Sequence, residues 1–293
     1  MLTTLVAIVM LFMTVPLFAA TCGDVNGDDK VNLLDISSII DALYRDGSAM
    51  ECGEVYTSIC GDFNADGKVN LLDISRILNR LYFGGPAMIC TEWGEVTDID
   101  GNVYKTVKIG DQWWMAENLK VTHYQNGDEI PHVTNDSIWQ SFWQSRGPGA
   151  YCEYENDENY VATYGRLYNW YAVEDSRNIA PAGWHVATEA EWQTLIRCLG
   201  DAAAAGGKMK EAGTTHWSEP NTGATNRSGF AVLPAGTRSG GEYSSLYYYT
   251  IFWSSSNLVG SQAYDAELEH DGSTAWMGSG IKCNGYSIRC IKD

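Results

Sequence analysis

Residues 22–37 read CGDVNGDDKVNLLDIS and residues 60–75 read CGDFNADGKVNLLDIS, one acidic, glycine-bearing phrase written twice at an offset of 38 positions. Aligned, the copies place oxygen-bearing side chains at loop positions 1, 3, 5, 9 and 12: Asp24, Asn26, Asp28, Asn32 and Asp35, then Asp62, Asn64, Asp66, Asn70 and Asp73. A calcium ion takes six to eight oxygens, and a twelve-residue loop supplies them when the backbone carbonyl of position 7, here Lys30 or Lys68, fills the gap. Two calcium ions are therefore expected. Position 6 turns sharply, which suits Gly67 and strains Asp29, so the first site is expected to be the weaker. Behind each loop the apolar spacing predicts one amphipathic helix, carried by Ile36, Ile39 and Leu43 and then by Ile74, Ile77 and Leu81.

A tandem of loop-plus-helix units with this D-x-N-x-D-G-x-x-N-x-x-D pattern, and with no helix entering either loop, resembles the type I dockerin module over about residues 22–90. The resemblance implies calcium-dependent folding and docking into a cohesin-like or other cell-surface protein. Such modules usually serve polysaccharide binding or breakdown. In that family, loop positions 10 and 11 carry partner-contacting polar residues; here they are Leu33-Leu34 and Leu71-Leu72. These leucines are expected either to form a partner or interdomain surface or to complete a small two-helix core.

Residues 1–20, MLTTLVAIVMLFMTVPLFAA, are an apolar run that gives way to acidic sequence, read as an export signal with a retained anchor as the alternative. No later stretch is apolar for long enough to cross a bilayer, so the mature chain is expected to lack a transmembrane span and to be secreted or held at the cell surface. Eight cysteines suit an oxidising compartment, which makes Cys22, Cys52, Cys60, Cys90, Cys152, Cys198, Cys283 and Cys290 disulfide candidates. Cys22 to Cys52 and Cys60 to Cys90 repeat one separation, favouring a bridge within each repeat. The net charge of −18 argues against nucleic acid or an anionic membrane as the partner.

From residue 97 the chain becomes aromatic, glycine-rich and polar. The expected organisation is a signal at 1–20, a calcium-binding module at 21–90, a linker at 91–96 and a larger domain at 97–293. In GNVYKTVKIGDQWWMAENL the alternation over Val103, Lys105, Val107 and Ile109 predicts a strand before a turn at Gly110-Asp111. TEAEWQTLIRCLG predicts a helix: Thr188 and Glu191 have capping-box spacing, Trp192, Leu195 and Leu199 make a stripe, and Gly200 ends it. FAVLPAGTR, YYYTIFWSSS and GYSIRCIKD read as further strands.

The segments YGRLYNWYAV, PAGWHVATEAEW, GGKMKEAGTTHW, NTGATNRSGFAVLPAGTR, FWSSS and YSIRCIKD, in this order, resemble the Fibrobacter succinogenes major paralogous domain over nearly all of residues 97–293. The resemblance implies the C-type-lectin-like superfold that formylglycine-generating enzymes share. The expected class is thus α+β: a small all-α module of tandem loop-helix units, plus a C-type-lectin-like domain with short strands and one or two helices.

Catalytic constellations are sparse. Glu189 and Glu191 point different ways from one helix, Glu191 is explained by its cap, and His185 reads as a structural histidine. Glu219-Pro220-Asn221 spells the calcium-binding tripeptide of C-type lectins, but Trp253-Ser254-Ser255-Ser256 replaces the companion Trp-Asn-Asp. Formylglycine-generating enzymes use a C-x-x-x-x-C pair; Cys283 and Cys290 are farther apart, with Gly285 in the partner's place. Tyr247, Tyr248, Tyr249, Trp253 and Trp276 are candidates for sugar stacking or for the core. Function divides between a non-catalytic binding or adhesion protein of extracellular polysaccharide use and, as the alternative, a formylglycine-generating-enzyme-like or glycan-active enzyme.

Overall fold

The computed structural model describes residues 32–44, 71–83 and 92–293. Two helices, α1 (Leu33–Tyr44) and α2 (Leu71–Phe83), fall where the repeats predict them and touch one another. Asn32 starts α1: its side-chain oxygen accepts from the Leu34 amide at 2.8 Å, and its own amide donates to Asp35 Oδ2 at 2.7 Å. Ile36, Ile39, Ile74 and Ile77 are buried, as the i, i+3 spacing requires.

The rest is a mixed, sheet-rich domain. It opens with three antiparallel strands, β1 (Glu92–Thr97), β2 (Val103–Ile109) and β3 (Gln112–Met115). Short elements follow: α3 (Asp136–Ser141), β4 (Tyr151–Cys152), α4 (Val161–Tyr164), β5 (Leu167–Tyr168), α5 (Trp170–Val173) and β6 (Trp184–Val186). The two longer helices of this domain are α6 (Glu189–Cys198) and α7 (Ala202–Met209). Five strands close the chain: β7 (Ala235–Ser239), β8 (Glu242–Leu246), β9 (Tyr249–Asn257), β10 (Gln262–Glu269) and β11 (Trp276–Ile281), before the short β12 (Cys290–Lys292).

One five-stranded sheet runs β1-β2-β3-β12-β6 and the other β11-β10-β9-β7-β8. The last strand therefore sits inside the first sheet, with Ile291 paired to both Trp114 and His185. Alternation explains the layering. Met115, Val186 and Cys290 face one cluster with Tyr104 and Trp253, while Trp114, Ala187 and Ile291 face a second with Trp192 and Phe230. The first sheet is covered on both sides, which is why its strands do not read as simple inside-outside alternations. A third cluster gathers Trp139, Tyr154 and Tyr164. Trp114, Trp139, Trp170, Trp192, Trp217 and Trp253 are fully buried, so much of the aromatic content is core.

Several expectations change here. Residues 92–96 of the expected 91–96 linker are part of β1: Glu92 to Thr97 pair with Lys108 to Val103, and Trp93 and Val96 pack on the core. FAVLPAGTR is a strand only from Ala235: Ala231 takes a positive φ and Pro234 has no N–H to give a ladder, while Gly236 keeps its positive φ inside the strand. GYSIRCIKD shortens to β12, its earlier residues joining other strands through single bridges. Cys152, Cys198, Cys283 and Cys290 are free thiols, not disulfides. The α6 capping box is present, Gly200 follows at φ +116°, and the hairpin turns at Gly110.

Candidate functional site

Of the calcium-loop residues, Asn32 and Asp35 lie among the described ones. Asp35, at loop position 12, is buried at the start of α1. Carboxylate and amide oxygens are ligand types that calcium takes. The remaining expected ligands, Asp24, Asn26, Asp28, Lys30, Asp62, Asn64, Asp66, Lys68 and Asn70, lie outside the described residues. So do Asp29, Gly67, Cys22, Cys52, Cys60, Cys90 and the segment 1–20. The backbones of Leu72 and Asp73 are in α2, their side chains outside the description. Leu33, Leu34 and Leu71 are 56%, 59% and 61% exposed.

In the large domain the motif residues turn structural. His185 Nδ1 lies 2.7 Å from Asp293, and its Nε2 3.0 Å from Glu191. Burial works against its charge, but these two carboxylates outweigh it and raise the imidazole's pKa. Asn221 is buried and its Nδ2 donates to the Glu211 and Gly213 carbonyls, while Glu219 is exposed, so the lectin tripeptide does not present paired oxygens. Burial pushes the Cys152 and Cys283 thiols up to about 11 and raises Cys290 further, which keeps all three neutral and poorly nucleophilic. Among the described residues no group of three or more His, Cys, Asp or Glu could hold a metal ion, and no helix is long and apolar enough to cross a membrane.

The stacking candidates separate. Trp253 is core, its indole N–H donating to the Tyr168 carbonyl at 2.8 Å. Tyr249 is half-buried against Glu267. Tyr247, Tyr248 and Trp276 are exposed.

A cleft of about 850 Å³ forms where β1, β2, the segment after β3, α4 and Arg289 converge. Trp93 supplies an apolar wall; Glu95, Lys105, Glu117, Lys120 and Glu211 supply charge; Asn118, Thr163 and Asn226 supply neutral polar groups. Glu95 stands directly across from Lys105 in the β1–β2 ladder. Glu117 accepts from the Lys105 amide at 2.7 Å and lies 3.8 Å from Lys120 Nζ, and Glu211 lies 2.9 Å from His216 Nδ1. Arg289 is only 1% exposed. Its Nε donates to Asn118 Oδ1 at 2.7 Å, its Nη1 to the Met115 and Phe230 carbonyls, both at 2.9 Å, and its Nη2 to the Ala231 carbonyl at 3.3 Å. Burial lowers its pKa to about 9, with Glu117 opposing the shift, so it remains charged at neutral pH.

Next to this cleft runs a chain of rings, Tyr243–Tyr154–Tyr160–Tyr164, with successive centroids 5.4, 5.7 and 6.1 Å apart. Tyr164 then meets His216 at 5.9 Å and Tyr247 at 6.3 Å. Neither the cleft nor this belt was found by sequence reasoning. One usable signal was an arginine placed between buried Ile288 and Cys290 in YSIRCIKD, a charge inside a core strand.

The fold and site define a two-part protein, a tandem loop-helix module joined to a sheet-rich domain with a polar, aromatic-edged cleft. Residues 107–292 match the Fibrobacter succinogenes major domain, and residues 22–82 match the Dockerin type I domain. The chain belongs to the Fibrobacter succinogenes major domain family and carries a type I dockerin domain at its N-terminal side. Type I dockerins bind calcium, and a dockerin implies a cohesin partner in an extracellular or cell-surface setting. No curated protein and no solved structure matches the chain.

Proposed function

We propose that this chain is a secreted, non-catalytic binding protein that a dockerin module attaches to a cohesin-bearing scaffold or surface protein, leaving the large domain to hold polysaccharide. The module binds two calcium ions, one through Asp24, Asn26, Asp28, the Lys30 carbonyl, Asn32 and Asp35, the other through Asp62, Asn64, Asp66, the Lys68 carbonyl, Asn70 and Asp73. Bound calcium neutralises these crowded carboxylates and so orders the loops. Leu33, Leu34, Leu71 and Leu72 form its partner surface, an idea supported by the exposure of the three whose side chains are described. The C-type-lectin-like domain comprises residues 92–293, since β1 is part of its sheet.

The observation that carries the binding reading is the cleft: an indole wall, which suits the apolar face of a sugar ring, set among amide, carboxylate, hydroxyl and ammonium groups that suit its hydroxyls. The buried neutral thiols and the carboxylate-paired His185 leave those groups poorly suited to nucleophilic chemistry. The test is a glycan array probed with the full chain, with calcium and after chelation, alongside product analysis of every glycan bound. Binding that survives chelation without release of shorter sugars is expected. Steady turnover of a bound glycan would move the protein to the enzyme class.

A further inference from the structure

Arg289 is a cation with no ion-pair contact among the described residues; Glu117 acts on it only through its field. All four of its hydrogen-bond acceptors are neutral, one amide oxygen and three backbone carbonyls. A guanidinium carries five N–H donors, and the fifth, on Nη2, has no acceptor among the described residues. Nor does any described carboxylate form an ion pair with it. Burying an ionised group without a partner is costly, and arginines held this deeply are ordinarily paired. Of the cleft's own acids, Glu117 is engaged by the Lys105 amide and Lys120 and Glu211 by His216, while Glu95 stands across from Lys105 in the ladder.

The cradle is also held in a costly backbone state. Ala231, whose carbonyl takes the Nη2 bond, sits at φ +50°, the left-handed region that alanine rarely occupies, and Asn226 fixes it by accepting the Ala231 amide at 2.9 Å. Ala231 and Asn226 both line the cleft. The Phe230 and Phe252 rings of the second core cluster lie 4.9 and 5.6 Å from the guanidinium carbon and pack against one side of the group. A fixed positive group at the floor, Lys105 and Lys120 on the walls and Trp93 alongside make a cleft suited to a ring that bears an anion. A volume of about 850 Å³ accommodates a ligand larger than one small anion.

We propose that the cleft binds acidic sugars, with the carboxylate of a uronic-acid residue seated on Arg289 Nη2 and supported by Lys105 and Lys120. The inference rests on the polysaccharide-binding reading and narrows it to one chemical class. The carboxylate accepts the unassigned N–H and provides the missing counter-charge, while the ring stacks toward Trp93. Charge-assisted hydrogen bonds of this kind are the stronger ones, so removing the sugar's charge is expected to weaken binding about tenfold or more.

The experiment titrates the full calcium-loaded chain with an oligogalacturonate, with the same oligomer as its methyl ester, and with an N-acetylated dipeptide bearing a free carboxylate. Tightest binding of the acid oligomer, about tenfold or more above the ester, supports the proposal. Equal affinity for acid and ester overturns it while leaving the polysaccharide reading standing; binding of neither overturns it and leaves the polysaccharide reading to the glycan array. Tighter binding of the dipeptide overturns the sugar class. Arg289→Lys is expected to lose the acid-over-ester preference. Because that change also removes backbone contacts, Ala162→Glu, on the exposed rim of the cleft, serves as the second variant. It is expected to weaken the acid about tenfold and to leave the ester and the melting temperature within error. An unchanged acid affinity in a folded Ala162→Glu protein also overturns the proposal.

Discussion

The two regions of the molecule manage charge in opposite ways. The repeats concentrate carboxylates in short loops and call for a cation from solvent. The large domain buries single charges in cradles of its own. Lys210 is fully buried, with Nζ donating to the Glu269 and Gly272 carbonyls at 2.8 and 2.7 Å. Arg238 is buried on the Trp139 ring and reaches Asp136 at 2.6 Å. The first arrangement makes order depend on a ligand, because crowded carboxylates repel one another until a cation neutralises them. The second draws its order from packing, and Arg289 is a buried charge there that has no ion pair among the described residues and lines a cleft.

Calcium removal should have the largest effect and should divide the chain. Chelation is expected to abolish most of the helical signal from residues 33–44 and 71–83, while the near-ultraviolet signal of the buried tryptophans and the melting of the large domain stay unchanged. Far- and near-ultraviolet circular dichroism on one sample decides it. Coincident loss of both signals would mean that the second region also depends on the ion.

Those regions also differ in how far they could be read from sequence. The loop ligands stand within twelve consecutive residues, so spacing alone exposes them, and α6 announces itself through Thr188 and Glu191 because a capping box is local. The cleft is not local: Trp93 and Arg289 lie at opposite ends of the large domain, and β12 brings them together only by inserting beside β3. The expected linker at 91–96 holds most of β1, whose strand character comes from pairing with β2 rather than from a local pattern, and Gly94 fits where a Cβ would lie 2.9 Å from Thr106 Oγ1. The tyrosine belt was illegible for a related reason. Aromatic content has no period that separates a surface ring from Trp253 at the centre.

A smaller effect tests burial of the opposite sign of charge. Asp265 is 1% exposed beside Glu267, and burial first, then the like charge, pushes its carboxyl up to about 8. In the unfolded chain it ionises near the ordinary aspartate value of 3.8. Between those values the folded state holds one proton more, so the associated stability is complete below about pH 4 and is lost as pH rises through about 8. Asp265→Asn cannot ionise and should flatten that slope, making the variant more stable than the parent at pH 8.5 by on the order of 1 to 3 kcal/mol. Denaturant melts at pH 5 and pH 8.5 measure it; equal slopes for parent and variant would show that Asp265 is ionised in the fold.

The smallest expected change in stability lies on the module surface. Leu33 and Leu71 leave more than half of their area in solvent, so changing both to Ser removes little that folding buried. Substitutions at such positions usually stay within about 0.5 kcal/mol each. Ile39 and Ile77 are fully buried, and Ile39→Ala should cost about 2 to 5 kcal/mol, a large share of a small module's stability. The leucine pair therefore separates docking from folding: the double Ser variant should take up calcium and gain helix as the parent does, yet lose capture by a purified cohesin domain. Were it instead to fail to fold with calcium present, the leucines would belong to the core of the calcium-bound module. Were it to fold and still be captured normally, the docking face would lie elsewhere on α1 and α2, with Asn79, exposed on α2, as the next position to change.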